Sequence, residues 1–309
     1  MKVAVATSTA QGRRPTQQDA ALTLPDLYDD GGGYHFFAVF DGHGDCGDKV
    51  AQFAKRQFPL ALQEHKPLIQ SDPIKALQAI FLTLHQAVRD SADKSGPEQF
   101  DPYLSGTTVA ATLFCADKVY IANLGDSRVV HGVQPEDASA DTPWAMHQLT
   151  TDHTCNNEDE RARVEKAGAR VDRLQEAGTP EGPLRVFKGS LPYPGLVVTR
   201  ALGDTSAKRL GVLAEPEITT LTLQPGRHCL VLATDGVWDG LDNDKVLDIV
   251  SSYFSPGTKG QEKEEDQTSQ YQTAACEASQ SLTDHSLKAL DSIQVDDNTT
   301  NICVFWTQS

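Results

Sequence analysis

Three apolar runs in this chain end on an acid: residues 36–40 run into Asp41, residues 119–125 into Asp126, and residues 229–234 into Asp235. A fourth acid, Asp297, stands just ahead of the run Ile302-Cys303-Val304-Phe305-Trp306. Apolar runs of this length read as buried strands, so each carboxylate is expected at a strand end. Where such ends lie together, several anionic groups share a small volume, and a divalent cation is the simplest relief of their repulsion. The pattern points to a β-rich core whose strand tips form a carboxylate site for metal.

At 309 residues the chain can bury a large core, with apolar and charged fractions of 39% and 23%, those of an ordinary globular protein. No stretch of about 18 uninterrupted apolar residues occurs, which argues against a helical membrane span. The start Met1-Lys2-Val3-Ala4 carries neither a signal-peptide core nor a myristoylation Met-Gly, so a cytoplasmic location is expected, with the nucleus as the alternative. The formal net charge of −16 disfavours nucleic-acid binding, which needs clustered Lys and Arg. The six cysteines are scattered without a C-x-x-C pair and read as reduced, structural thiols. A monomer is the default expectation.

Strand signals at residues 107–114, 119–123 and 127–131 are joined by short connections, which favours hairpins and an antiparallel sheet. Residues 3–6 and 302–306 add outer or paired strands. Residues 217–223 and 228–234, joined by Gln224-Pro225-Gly226-Arg227, read as a further hairpin. Helical periodicity marks residues 47–63 and 73–91, the second with proline in its first turn, and later residues 243–253 and about 272–282. Strands followed by helix pairs, twice over, predict an α+β fold: a central antiparallel β-sandwich flanked by pairs of α-helices. Residues 255–270 are polar and read as a mobile loop. Residues 154–194, rich in Gly and Pro beyond a short helix near 159–167, form a long excursion of the kind that contacts substrate. No repeat or linker divides the chain, so a single domain over residues 1–309 is expected.

Asp41-Gly42-His43-Gly44 taken alone reads as a plain turn. Asp235-Gly236 repeats the arrangement after a second apolar strand, which weakens that account. Glycine beside a carboxylate lets a backbone carbonyl approach a cation closely, and His43 lies within reach of a substrate beside the metal. Arg14, within Arg13-Arg14-Pro15-Thr16-Gln17-Gln18-Asp19, has the guanidinium fork that suits a phosphate dianion, although by itself it reads as part of a solvated basic pair. Ser105-Gly106-Thr107-Thr108 reads as a turn entering a strand, and Gly125-Asp126-Ser127-Arg128 reads equally well as a hairpin turn.

Taken in order, Arg14…Gln18-Asp19, Asp41-Gly42-His43-Gly44, Ser105-Gly106-Thr107-Thr108, Asn123-Leu124-Gly125-Asp126-Ser127-Arg128, Leu149-Thr150-Thr151-Asp152-His153, Thr199-Arg200-Ala201-Leu202-Gly203-Asp204, Ala233-Thr234-Asp235-Gly236-Val237-Trp238-Asp239 and Asp297-Asn298-Thr299-Thr300 resemble the metal-dependent protein serine/threonine phosphatases of type 2C. The resemblance covers residues 2–306, and the ordered set is far more specific than any one member. It implies a β-sandwich flanked by helix pairs and two Mn²⁺ or Mg²⁺ ions. Asp41 would bridge them, with the Gly42 carbonyl on the first and Asp235 and Asp297 on the second, while Gln18 and Asp19 act through waters. Asp126, with Asp235 and Asp239, resembles a looser third metal site. Arg14 would clamp the phosphate and His43 act as general acid; residues 154–194 correspond to a variable flap. Phosphorylated proteins are the implied partners. The implied chemistry is attack in line on phosphorus by a hydroxide bridging the two cations.

One departure stands out: Gln18 occupies a position where the family often has Glu, removing a negative charge at some expected cost in metal affinity. Cys155-Asn156-Asn157-Glu158-Asp159-Glu160-Arg161 spells C-x5-R, but three acids and no glycine make it a poor thiolate loop. No G-x-x-x-x-G-K-[ST] loop occurs, and the acidic balance opposes a two-metal nuclease. The rival from another class is a catalytically silent scaffold of the same fold that binds phosphoprotein partners; such relatives lose metal carboxylates, and this chain retains them.

Overall fold

The computed structural model describes residues 2–28, 33–93, 95, 99–135, 138, 142–176, 179–254 and 264–308. The chain opens with strands β1 (Ala4–Ala10), β2 (Ala20–Leu24), β3 (His35–Phe40) and β4 (Gly42–His43), then helices α1 (Gly47–Glu64), α2 (Lys66–Ser71) and α3 (Pro73–Asp90). Strands β5 (Gly106–Thr107), β6 (Val109–Cys115), β7 (Lys118–Leu124), β8 (Arg128–Gln134) and β9 (Ala145–Gln148) follow. Next come α4 (Glu158–Lys166), β10 (Arg170–Glu176), β11 (Thr179–Phe187), β12 (Pro194–Leu196) and β13 (Leu202–Gly203). The last part holds β14 (Glu217–Thr222), β15 (Gly226–Ala233), α5 (Asp235–Trp238), α6 (Asn243–Ser251), α7 (Glu264–Ser292) and β16 (Thr299–Gln308).

Two five-stranded antiparallel sheets, ordered β1-β16-β15-β8-β9 and β14-β7-β6-β3-β2, form the sandwich expected from the sequence. Alternation along each strand explains why the central strands read as unbroken apolar runs. In β3, Phe36, Ala38 and Phe40 pack under α1 and α3 with Phe58, Ile80 and Phe81, whereas Phe37 and Val39 point between the sheets. In β15, Leu230 and Leu232 take the inter-sheet side, and Cys229, Val231 and Ala233 meet Val246, Val250 and Leu282 of α6 and α7. Both faces are covered, so neither needs a polar residue.

Two expected hairpins do not form. β7 lies in one sheet and β8 in the other, so Gly125-Asp126-Ser127 is a crossing between sheets. Similarly, β14 covers the outer edge of β7, while both edges of β15 are taken by β16 and β8. A half-exposed strand serves at an edge; a buried one must lie between neighbours. Asp72 caps α3 by accepting from the Lys75 amide at 3.1 Å, and Asp242 caps α6 by accepting from that of Lys245 at 2.8 Å. Of the polar loop expected over 255–270, residues 264–270 instead belong to α7, and residues 255–263 lie outside the described residues. Residues 154–194, expected as loop beyond a short helix, contain α4 and most of a three-stranded antiparallel sheet, β10-β11-β12, with its own core of Val164, Val186, Leu196 and Leu210.

Candidate metal centre

Strand register brings the acids together. β2 pairs with β3 so that Ala20 faces Phe40, which sets Asp19 beside Asp41. β3, β6 and β7 pair in sequence with Val39 opposite Ala110 and Val109 opposite Leu124, so Asp126 leaves its strand next to Thr108 and Asp41. The Asp41 amide donates to the Thr108 hydroxyl at 3.2 Å, and the Thr108 amide donates to the Asp41 carbonyl at 2.9 Å. From the other sheet, β15 opposite β16 delivers Asp235 and Asp297 to the same end.

Ligand oxygens of Asp41, Asp126 and Asp235 all lie within 4.8 Å of one another. At that separation an ionised pair costs about 3.5 kcal/mol at an effective dielectric near 20. Three such pairs would consume most of the roughly 5–15 kcal/mol by which a domain is stable. Without a cation the carboxylates are therefore pushed toward their protonated forms. Burial, reinforced by Asp235, Asp19 and Asp126, drives the Asp41 pKa well above the carboxylate range; burial with Asp126, Asp297 and Asp239 does the same to Asp235. Burial with the Asp152 charge lifts Asp126 to about 7. Burial, opposed by hydrogen bonds from Thr300 and Thr234, lifts Asp19 to about 7. Asp239 is raised by burial and by Asp297. This donor set is all oxygen, carries surplus negative charge and is held at strand ends, a good match to a hard divalent cation.

Each remaining residue singled out in the sequence has a definite place. A Cβ on Gly42 would lie 2.4 Å from the Gly47 carbonyl oxygen and 2.6 Å from that of Gln18, so only glycine lets the chain pass there. The Gln18 side chain donates through Nε2 to the Gly44 carbonyl at 2.8 Å. Arg14 is half exposed, its Nη2 3.1 Å from Asp297 Oδ2. His43 Nε2 lies 2.7 Å from Asp204 Oδ2; burial works to lower its pKa, and the Asp204 carboxylate outweighs that and raises it. These residues line a cavity of about 840 Å³, roofed by Pro183, Arg185 and Leu196 of the 154–194 excursion and its border.

Three groups carry weight that residue-type reasoning missed. Asp204, quoted only as part of a run, is the partner of His43. Asn298 accepts from the Gln18 amide at 2.8 Å and donates to the carbonyls of Gln11 at 2.8 Å and Thr16 at 3.2 Å, fastening the loop that carries Arg14. Arg128 holds Asp152 through two hydrogen bonds, at 3.2 and 2.6 Å, with its guanidinium over Trp238, which neutralises one acid of the rim. An Asn directly after a strand-end Asp was the available signal for Asn298; Gly203-Asp204 carried only a turn signal. The C-x5-R thiol of Cys155 is buried, and that burial pushes it up to about 11, the reverse of what a nucleophilic thiolate needs.

The same architecture and sequence pattern occur in known proteins. The model of the family "Protein phosphatase 2C" matches residues 3–288, and the chain belongs to that family. It is 35% identical over 237 residues to probable protein phosphatase 2C 35 of Arabidopsis thaliana, a match covering 72% of this chain and 64% of that relative's length. The serine-threonine phosphatase 2C of Toxoplasma gondii superposes with a TM-score of 0.75 at 22% identity, covering 97% of this chain and 94% of that one. The catalytic domain of the serine/threonine phosphatase PstP, solved with two manganese ions, superposes with a TM-score of 0.57 at 17% identity over 98% of this chain and 97% of that one. At those identities the two structures establish likeness of fold.

Proposed function

We propose that this chain is a metal-dependent protein serine/threonine phosphatase. The observation that carries the reading is the convergence of Asp41, Asp126 and Asp235 beneath a cavity whose walls also hold Arg14 and His43. Names among its relatives agree: they are protein phosphatases 2C, and PstP was solved with manganese. Asp41 with the Gly42 carbonyl, and Asp235 with Asp297, would hold two Mn²⁺ or Mg²⁺ ions, with Gln18 and Asp19 acting through waters; Asp126 and Asp239, with Asp235, would hold a third. Bound cations supply neutralisation of the phosphoryl oxygens and a water acidic enough to attack phosphorus near neutral pH.

The protein's own groups do the rest. Arg14, half exposed on the cavity wall, presents a planar fork to the phosphate, and Asp297, 3.1 Å from its Nη2, would be free to hold a cation once that fork engages substrate. His43 gives a proton to the departing seryl or threonyl oxygen, which is a poor leaving group as alkoxide. The 154–194 flap faces the phosphoprotein. Phosphate release from a phosphothreonine peptide is expected with Mn²⁺ and lost with EDTA. Asp235→Asn should lower kcat by at least about 10²-fold. Mn²⁺ should raise the unfolding midpoint of the wild type and not of the variant, while the metal-free variant, spared the cost of keeping one buried carboxyl protonated at neutral pH, should be at least as stable as the wild type. Turnover that survives EDTA, or an Asp235→Asn enzyme as active as the wild type, would sink this reading.

A further inference from the structure

We infer that Asp204 is the positioning residue of the leaving-group proton: it fixes the His43 ring so that Nε2–H is held by the protein and Nδ1 is the atom offered to substrate. The inference rests on the reading of His43 as general acid and adds the atom that acts and the group that aims it.

The geometry is one-sided. His43 Nε2 meets Asp204 Oδ2 at 2.7 Å, while Nδ1 makes no hydrogen bond among the described residues. The ring is a quarter exposed, and it lines the cavity. Asp204 is itself 2% exposed and over-determined. Its φ is +47°, a left-handed value that Asp tolerates better than most residues. Its amide donates to the Ser105 carbonyl at 2.9 Å, its carbonyl accepts from the Ala207 amide at 2.9 Å, and the preceding Gly203 amide donates to His85 Nδ1 at 3.3 Å. The carboxylate reaches His43 across a position where a side chain would block it: a Cβ on Gly106 would fall 2.1 Å from Asp204 Oδ2. Lys208, the nearby cation, donates to the carbonyls of Ala201 at 2.6 Å and Leu213 at 3.3 Å, which leaves the carboxylate to His43.

A buried carboxylate can only accept, so it selects the proton on the nitrogen that faces it. A hydrogen-bonded acid behind an imidazole thereby fixes both tautomer and ring orientation, as in the triad of serine proteases. In the reaction a water oxygen bonds to phosphorus and the phosphorus–oxygen bond to the side chain breaks. Its electron pair stays on the seryl or threonyl oxygen, which takes the Nδ1 proton. The attacking water's proton passes to solvent, and solvent reprotonates Nδ1.

The test compares wild type, Asp204→Asn, His43→Gln and the double variant with Mn²⁺, on a phosphothreonine peptide and on p-nitrophenyl phosphate. The latter's leaving group departs readily as an anion and has little need of an acid. Asparagine tolerates the left-handed backbone, so Asp204→Asn should fold. The ratio of peptide to p-nitrophenyl phosphate kcat is expected to fall at least about tenfold in Asp204→Asn. The double variant should be no worse than His43→Gln, because Asp204 acts through the ring. In metal-free protein, nitrogen-15 NMR of neutral His43 should place the proton on Nε2 in the wild type and divide it between the nitrogens in Asp204→Asn. An unchanged ratio in Asp204→Asn, or an unchanged tautomer, overturns the assignment of Asp204. An unchanged ratio in His43→Gln overturns the general-acid reading itself, and the assignment with it.

Discussion

Gln18 illustrates how one side chain can serve two masters at this site. Its amide nitrogen donates to the Gly44 carbonyl at 2.8 Å, bracing the loop after His43, and its backbone amide is held by Asn298. A glutamate there adds charge beside the metals but cannot donate. Gln18→Glu is therefore expected to lower the Mn²⁺ concentration for half-maximal activity about tenfold, the low end of the range by which outer ligands tune metal sites. It should also cost about 1 kcal/mol of metal-free stability through the lost hydrogen bond. A metal titration of activity beside a denaturant melt in EDTA reads both. Tighter metal binding with unchanged stability would mean that the Gly44 contact contributes nothing.

At the level of elements, the helix α4 is tied to the segment between β12 and β13 through one buried acid. Glu160 is 2% exposed and takes hydrogen bonds from Arg163, Thr199 and Arg200, with Arg200 Nη2 at 2.7 Å. Burial opposes ionisation, but the two guanidiniums and the hydroxyl win and hold its pKa down at about 2. A depressed carboxylate pKa gives stability that is present above the ordinary value of 4.5 and is lost as pH falls toward about 2. Glu160→Gln should destabilise the protein at pH 7, and the gap from the wild type should close as the pH falls below about 4. Hydrogen exchange across α4 and β11 should rise in the variant, with that of β15 changing less. A gap that stays constant from pH 7 to pH 3 would refute the role of the charge.

The sandwich as a whole contains a polar stack far from the acids. His131 and His228 share a 2.9 Å hydrogen bond, and both rings stack on Trp306, whose own ring packs edge-on to Phe114. Burial, with the neighbouring His228 and His147, lowers the His131 pKa to about 3, and burial lowers that of His228. Both rings stay neutral in the folded state and take protons readily when unfolded. Their contribution is complete above the ordinary value of 6.5 and is lost as pH falls from there toward about 3. His131→Gln should be less stable than the wild type at pH 8 yet lose less stability between pH 6.5 and 4, measured by denaturant melts across that range. Parallel profiles would remove His131 from the acid response.

The strand-end acids, the helix pairs and the sandwich itself were legible in the chain, because both faces of each central strand are buried and a short apolar run ending on Asp is a local signal. Which sheet a strand joins was not local. β7–β8 and β14–β15 have turns that would suit hairpins, yet each pair divides between sheets, since partner choice depends on which edges distant strands have already covered. The 154–194 sheet escaped notice because few of its strand residues are buried and two of its three strands carry Gly and Pro. Asp41, Asp126, Asp235 and Asp297 were readable as residues; their closeness is a consequence of strand register across two sheets. Asp204 is the clearest case: its side chain reaches His43 across 161 positions of sequence, through a gap left by Gly106. Composition and spacing determine what chemistry such a chain can carry, and only the packed backbone decides which atoms face one another, because contact at that separation is set by the closure of the whole fold.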